Sequence, residues 1–395
     1  INKKLKFAIL PFVNNSQDQD SGFLVDGIVE DLITEFSMMR EFEILSRQTT
    51  VNFKNENEDL KEFSKKFELD FVVTGSIRAS GKRVRINIEL SDANDDSIIW
   101  SNKYDRVMED IFDLQDEIVR KISIALLGEI EISSLQRSKR KPTENITSYE
   151  YLLRGKENHH KFTKEANIEA LKCFDKALIA DPGNAQAYAW KVCTLGQALY
   201  RGFTDRDSDE VFSEAKDNIE KALELNENDF ECHRMLSAVY LSDHDYILAE
   251  DHGRKAFNMV PNDPRVLSGY GEVLVRTGKV DKGLELLNKA FELDPVPQGQ
   301  STSDNRIKDL ILGYFFAEDF NKVMELSFDI RNMDIRSLVL ILFSRSKLNQ
   351  DIKSSNEYSL FINNHKDTDW EQTVDRFHIQ DESIKSKIIS FIKTI

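Results

Sequence analysis

Three cysteines, seven histidines and a few closely spaced carboxylates carry whatever chemistry this 395-residue chain could perform. A nucleophilic thiol needs a positive, partly exposed setting. The sequence neighbours of Cys173, Cys193 and Cys232 supply none, so all three read as small hydrophobes buried on helices. A Cys193–Cys232 bridge stays open as the lesser alternative in an oxidising compartment, and the odd count leaves one thiol over. Among the histidines, His159 and His160 are neighbours on a helix and so point apart. His233, His244 and His252 could approach one another, but packed or solvated rings are the expectation. The seven histidines, His365 and His378 included, are scattered, and no H-E-x-x-H occurs, so no metal site is expected. Asp26 and Asp31 could pair as catalytic carboxylates, although capping or local ion pairing is the stronger reading. Ser46, Arg47 and Asp105 complete the polar set, without the spacing of a nucleophile and its base. Arg78, Lys82, Arg83 and Arg85 sit on a hairpin and could hold an anion. A charged, protected strand edge is the blander and favoured reading. Neither G-x-x-x-x-G-K-[ST] nor G-x-G-x-x-G is present. The expectation is no catalytic residue, no metal and no cofactor.

The elements that must position these residues fall into two regions. From Lys6 to Val13 the run around Phe7-Ala8-Ile9-Leu10 reads as a buried strand, ended by Pro11. Leu24, Ile28, Leu32, Ile33 and Phe36 recur at helical spacing. Phe42 to Leu45 is a short strand, and Leu60 to Phe67 a helix with Leu60, Phe63 and Phe67 on one face. Phe71 to Ile77, the alternating Val84, Ile86, Ile88 and Leu90, and Ile98 to Tyr104 read as three strands joined by turns. A long helix from about Met108 to Leu135 follows, with Ile111, Leu114, Ile118, Ile122 and Leu126 as its stripe. This order predicts a small α/β domain.

The second region repeats itself. Ala177-Leu178, Ala222-Leu223, Ala256-Phe257 and Ala290-Phe291 each end a helix ahead of a Pro or Asn turn. The last two intervals are 34 residues, and the first is 45, one unit plus an 11-residue insertion placed near Tyr200 to Ser208. Small residues at Ala170, Ala215, Ala249 and Gly283, seven positions before each anchor, let paired helices approach. A 34-residue helix–turn–helix period is the tetratricopeptide (TPR) signature. Gly253 and His233 depart from it, Gly253 standing where a large residue is expected and His233 where a bulky apolar one is expected near the first helix start. After Pro295 the pattern decays into a degenerate repeat and a helical cap, ending with a short amphipathic helix from Ile384 to Ile392. Stacked hairpins leave a concave groove lined by the first helix of each repeat. Candidate groove residues are Tyr188, Trp190, Tyr200, His233, Arg234, Tyr240 and Tyr270.

The first region resembles a known module. Ile9-Leu10-Pro11-Phe12-Val13-Asn14, Asp26-Gly27-Ile28 with Glu30-Asp31-Leu32-Ile33, and Ser46-Arg47 are similar to the TolB-like N-terminal domain. So are Val73-Thr74-Gly75-Ser76-Ile77, Trp100 with Tyr104-Asp105-Arg106, and Ile111 through Ile118. That module accompanies bacterial class III adenylate and guanylate cyclases, winged-helix regulators and Ser/Thr kinases. The resemblance implies an α+β chain: a TolB-like α/β domain over 1–137, a linker over 138–146, TPR repeats over 147–296 and a degenerate cap over 297–395. It implies a sensory or interaction region that follows a membrane helix in its parent, on the periplasmic side, with a cytoplasmic position as the alternative. The start at Ile1, without Met, fits a piece excised after such a helix. The long helix at Met108 would transmit a change between the regions. Open alternatives are a free-standing TPR adaptor, or the regulatory tail of a winged-helix regulator or kinase.

Composition narrows the partners. Net charge is −16, with 53 Lys+Arg against 69 Asp+Glu, which is the wrong sign for a nucleic-acid footprint. No apolar run reaches the length of a membrane helix. The basic tract Lys139 to Pro142 is too short to count as a binding patch and reads as linker. The triplets Asn14-Asn15-Ser16 and Asn145-Ile146-Thr147 fit glycosylation sequons that a bacterial context discounts. The expected partner is a protein or peptide, with a small-molecule ligand and a homodimer as further expectations.

Overall fold

The computed structural model describes residues 4–16, 22–39, 41–56, 59–127, 145–297, 302–365 and 368–395. The tract Lys139–Pro142, most of the expected linker, and the expected helix beyond 127 lie outside these residues. The chain separates into two compact units, one of 1–235 with 259–263 and one of 236–258 with 264–395. It is an α+β chain: a small sheet with its helices comes first, and paired helices fill the rest.

The first unit opens with β1 (Leu5–Ile9), β2 (Val13–Asn14), α1 (Gly22–Ser37) and β3 (Phe42–Ile44). Next come α2 (Arg47–Glu56), α3 (Leu60–Lys66), β4 (Phe71–Ser80), β5 (Arg83–Asp92) and β6 (Ile98–Val107), then α4 (Ile111–Leu127) behind a single 3-10 turn. The sheet order is β3-β1-β4-β5-β6. β1 lies parallel to β3 and β4, while β4, β5 and β6 form an antiparallel meander. The strand expected from Lys6 to Val13 is two segments on one edge of β4: β1 pairs with Phe71–Val73 and β2 with Ser76–Ile77. Pro11 breaks the ladder between them because it has no N–H to give. The Phe12 ring fills the break over Gly75, where a Cβ would stand 2.8 Å from that ring and 2.7 Å from the Asn87 carbonyl. Helix α2, an element beyond those expected from the sequence, packs on β1.

Four helices follow in this unit: α5 (Ile146–His159), α6 (Lys164–Ala180), α7 (Ala185–Arg201) and α8 (Ser208–Leu225). Asn145, Thr163, Asn184 and Asp207 cap their first turns by accepting backbone N–H bonds. Gly202, in the left-handed region at φ 65°, closes α7. The pairs α5/α6 and α7/α8 are the first two helical hairpins. Phe7, Phe36, Phe112, Tyr149, Leu153, Phe174 and Trp190 belong to one continuous apolar cluster that runs from the sheet into these hairpins. Gly27 on α1 makes room for Leu153 of α5, whose methyls would lie 2.6 Å from a Cβ there.

Helix α9 (Phe230–Ser242) runs across the division between the units. The second unit holds α10 (Tyr246–Met259), α11 (Pro264–Arg276), α12 (Val280–Leu293), α13 (Asp304–Phe316), α14 (Phe320–Ser327), α15 (Ile335–Lys347), α16 (Asn356–His365), α17 (Trp370–Asp375) and α18 (Glu382–Ile392). The backbones of α11 and α12 come close at Gly271 and Gly283, where each glycine's would-be Cβ meets the other's carbonyl at 2.8–3.0 Å. The expected insertion is split three ways. Helices α7 and α8 have 17 and 18 residues where α9 and α10 have 13 and 14, and their loop has six residues where the next has three.

Candidate functional site

On α7, Gln186, Trp190, Cys193, Gln197 and Tyr200 recur three or four residues apart and therefore share one face. Gln186 Nε2 donates to Asp229 at 2.6 Å. The Trp190 ring meets the His159 ring edge-on at 5.4 Å, and the Lys156 ammonium lies 5.0 Å from its centre. Gln197 donates to the His159 carbonyl at 3.1 Å and accepts from Asn167 at 2.8 Å. Cys193 Sγ stands 3.8 Å from His159 Nε2.

The histidine's tautomer follows from its neighbours. The single hydroxyl proton of Thr194 goes to the Trp190 carbonyl at 2.8 Å. Its oxygen, 2.9 Å from His159 Nδ1, can then only accept. Nδ1 carries the proton, and the Nε2 lone pair is left facing the thiol. Burial pushes the Cys193 thiol up, but the thiolate is favoured by its hydrogen bond to His159 and by the imidazolium charge that appears there once Nε2 takes the thiol proton, and together they bring the pKa down to about 7. Cys173, by contrast, is raised by burial. Burial also holds His160 well below the usual imidazole value. Cys193 thus has the activating neighbour that its sequence surroundings do not provide. The separation of 34 residues between His159 and Cys193, one repeat, is the signal that could have found the pair.

The other groove candidates separate by burial. In the first unit Trp190 and His233 are interior, at 3% and 5% exposure. His233 bonds the Glu227 carbonyl through Nε2 at 2.9 Å. Arg234, half-buried, forms a two-pronged bond with Glu231 at 2.9 and 3.0 Å. Tyr188 is half-buried, whereas Tyr200 is 85% exposed. In the second unit Tyr240 stacks on His252 with centroids 5.4 Å apart. Tyr270 is interior because its ring covers Gly253, 2.6 Å from the position of a Cβ there, and lies beside Phe257. That ring occupies the space the expected bulky residue at 253 would need.

The polar residues of the α/β part are used separately. Asp26 pairs with Arg47 at 2.7 Å. Asp31 accepts from the Tyr149 hydroxyl at 2.6 Å and from Gln115 Nε2 at 3.3 Å. Lys156 pairs with Glu30 at 3.1 Å. Burial first, then the Asp31 charge, raises the Tyr149 phenol well above its usual value, so it stays a donor. Asp26 and Asp31 therefore do not converge as a catalytic pair. On the hairpin, Arg83 and Arg85 both grip Asp105, at 2.7 and 2.8 Å, and hold its carboxyl below the usual range. Beside them the open sheet face carries a shallow depression of about 610 Å³, lined by Thr74, Ser76, Asn87, Glu89, Ser101 and Lys103 among others.

In the second unit α11 and α13 carry a charge cluster around the buried Arg276, with Glu272 and Asp309 half-buried. Arg276 pairs with Glu272 and donates through Nε to the Phe377 carbonyl at 3.0 Å. Ser268 donates to Asp309 at 2.8 Å. Burial first, then the charge and hydrogen bond of the neighbouring Glu272, raise the Asp309 carboxyl well above its usual value. Burial, with Arg276 and His244 adding to it, brings His378 down to about 4. Among the described residues no group of three or more His, Cys, Asp or Glu side chains could hold a metal ion. No helix among them is long and apolar enough to cross a membrane.

Residues 3–121 match the family model described as HilA/YgeH-like transcriptional regulator, second domain. A stretch of 186 residues, 47% of this chain, is 32% identical to "Putative adenylate cyclase 3" of Rhizobium meliloti and spans 32% of that protein. The chain thus corresponds to about a third of the length of this curated relative. Among solved structures, PilF of Pseudomonas aeruginosa aligns over 55% of this chain and 98% of its own at 16% identity, with a TM-score of 0.39. TolB of Acinetobacter baumannii aligns over 32% of this chain and 29% of its own at 20% identity, with a TM-score of 0.23. The fold described above rests on the helix pairs and strand ladders themselves.

Proposed function

We propose that this chain is the non-catalytic sensory and protein-interaction region of an adenylate-cyclase-like signalling protein. The observation that carries the reading is the run of helical hairpins at a 34-residue period, whose first helices keep Tyr188, Arg234, Tyr200 and Tyr240 at least partly open to solvent. Such hairpins bury one face against their neighbours and present the other to a partner. The partner is a peptide or protein segment. In this reading the α/β part is a TolB-like module over 1–137 joined to repeats over 147–296 and a cap over 297–395. It performs no cyclisation itself. Its contacts from α4 to α5, Phe112 on Tyr149 at 4.7 Å and Gln115 on Tyr149 at 3.4 Å, would carry a change from the repeats towards an output domain. A periplasmic position and a homodimer belong to the same proposal.

The family-model match over 3–121 favours a second reading, the regulatory tail of a transcriptional regulator. Both readings keep the interaction role and differ in the output domain, which sequencing the complete gene would identify. The interaction role is tested by a thermal-shift screen against a peptide library. A peptide at a hundred times its Kd should stabilise the fold by about 2.7 kcal/mol. The gain should fall when Arg234→Ala and Tyr200→Ala are combined, or with Tyr240→Ala. A shift untouched by all three would move the site off the first helices.

A further inference from the structure

We propose that Cys193 is a peroxide-reactive thiol, activated by His159, which Thr194 positions, where α7 of the second hairpin meets α5 of the first. Three observations converge. The thiol faces an imidazole nitrogen that carries a lone pair, at 3.8 Å. Thr194 accepts from Nδ1 whether the ring is neutral or cationic, so the imidazolium formed by proton transfer keeps both its partners. Cys193 is also the least buried of the three cysteines: it is half-buried, whereas Cys173 and Cys232 are buried. The groups that face it are His159 from α5, and Arg234 and Glu231 from α9, which pull in opposite directions.

The step balances without an outside reductant. The thiol proton moves to His159 Nε2. The Cys193 thiolate attacks the terminal oxygen of a hydroperoxide, an S–O bond forms and the O–O bond breaks. Sulfur gives up two electrons to the peroxide. The departing alkoxide, or hydroxide from hydrogen peroxide, takes the proton from His159 and leaves as alcohol or water. Cys193 is left as a sulfenic acid. A thiol half-ionised at neutral pH holds far more thiolate than an ordinary one, although its lower basicity makes each thiolate less nucleophilic. The net gain is roughly threefold over an exposed ordinary thiol at pH 7. A large contrast with the two buried cysteines comes on top of it.

The test uses the full, reduced chain. Iodoacetamide labelling is followed across a pH series by mass spectrometry at each cysteine. Cys193 should label with a midpoint near pH 7 and ahead of Cys173 and Cys232. Hydrogen peroxide with a 1,3-dione trap should mark Cys193 first, and Cys193→Ser should abolish that mark. His159→Gln should move the midpoint towards the ordinary value of about 8.5. Thr194→Val should raise it too, and Thr194→Ser should restore it; these two serve if the His159 variant does not fold. A Cys193 midpoint at or above the ordinary thiol value would overturn the proposal. So would trapping of Cys193 no faster than Cys173, or a midpoint indifferent to both neighbours.

Discussion

At the residue scale, Asp309 and His378 give the second unit opposite responses to pH. Asp309 is raised in the fold, so the stability it contributes is full below the ordinary Asp pKa of about 4 and is lost as pH rises through the raised value. His378 is lowered to about 4, so its contribution is full above the unfolded value of about 6.5 and is lost as pH falls through that window. Asp309→Asn puts a neutral amide beside Glu272 and should flatten the fall of melting temperature that begins as pH rises above about 4. His378→Gln should flatten the side between about pH 6.5 and 4. Curves parallel to the unsubstituted chain would remove these groups as the cause. Neither environment was legible in the sequence, because Glu272, Asp309 and His378 stand on helices that only tertiary packing brings together. The same holds for Cys193. Its activating histidine is 34 residues away, and local composition around each residue suggested inert packing.

At the scale of elements, what repeats was readable and what is local was not. The four anchors from Ala177 to Ala290 mark α6, α8, α10 and α12, since a 34-residue period survives many substitutions. Helix α2 went unread because Arg47–Glu56 offers only Val51 and Phe53 as apolar residues, too few for a stripe. Only three of the eleven inserted residues fall in the loop near Tyr200 to Ser208; the other eight lengthen α7 and α8, because four residues added to each helix keep the stripe in phase. Gly253 shows how a departure from the repeat pattern is compensated. The Tyr270 ring and Ser237 Oγ, 2.6 and 2.9 Å from a would-be Cβ, fill the gap. Gly253→Leu should therefore destabilise the second unit by about 1–3 kcal/mol through overpacking. Combining it with Tyr270→Ala should recover part of that loss, a non-additivity expected of residues in contact. Urea denaturation of the two single variants and the double measures it, and strict additivity would contradict the packing described.

At the scale of the whole molecule, the apolar cluster of the first unit runs from Phe7 in the sheet to Trp190 in the second hairpin without interruption. The link is made by α5: Leu153 against Gly27, Tyr149 against Phe112, and the Tyr149 hydroxyl on Asp31. A continuous core unfolds as one cooperative body. The chain carries its own reporters, with Trp100 on β6, Trp190 on α7 and Trp370 on α17. Variants that keep one tryptophan each, the other two replaced by Phe, would follow each region in urea by fluorescence. Trp100 and Trp190 should give coincident transitions, while Trp370 belongs to the second unit and is free to differ. Tyr149→Ala removes a ring that is 1% exposed in the shared core and should lower the Trp100 and Trp190 midpoints together, by about 3–5 kcal/mol of stability. Loss at Trp190 with Trp100 unmoved would mean that the sheet folds independently of the hairpins. In that case the contacts of α5 on α1 and α4 would be too weak to couple the two, and the route from the repeats through Tyr149 would fail with them.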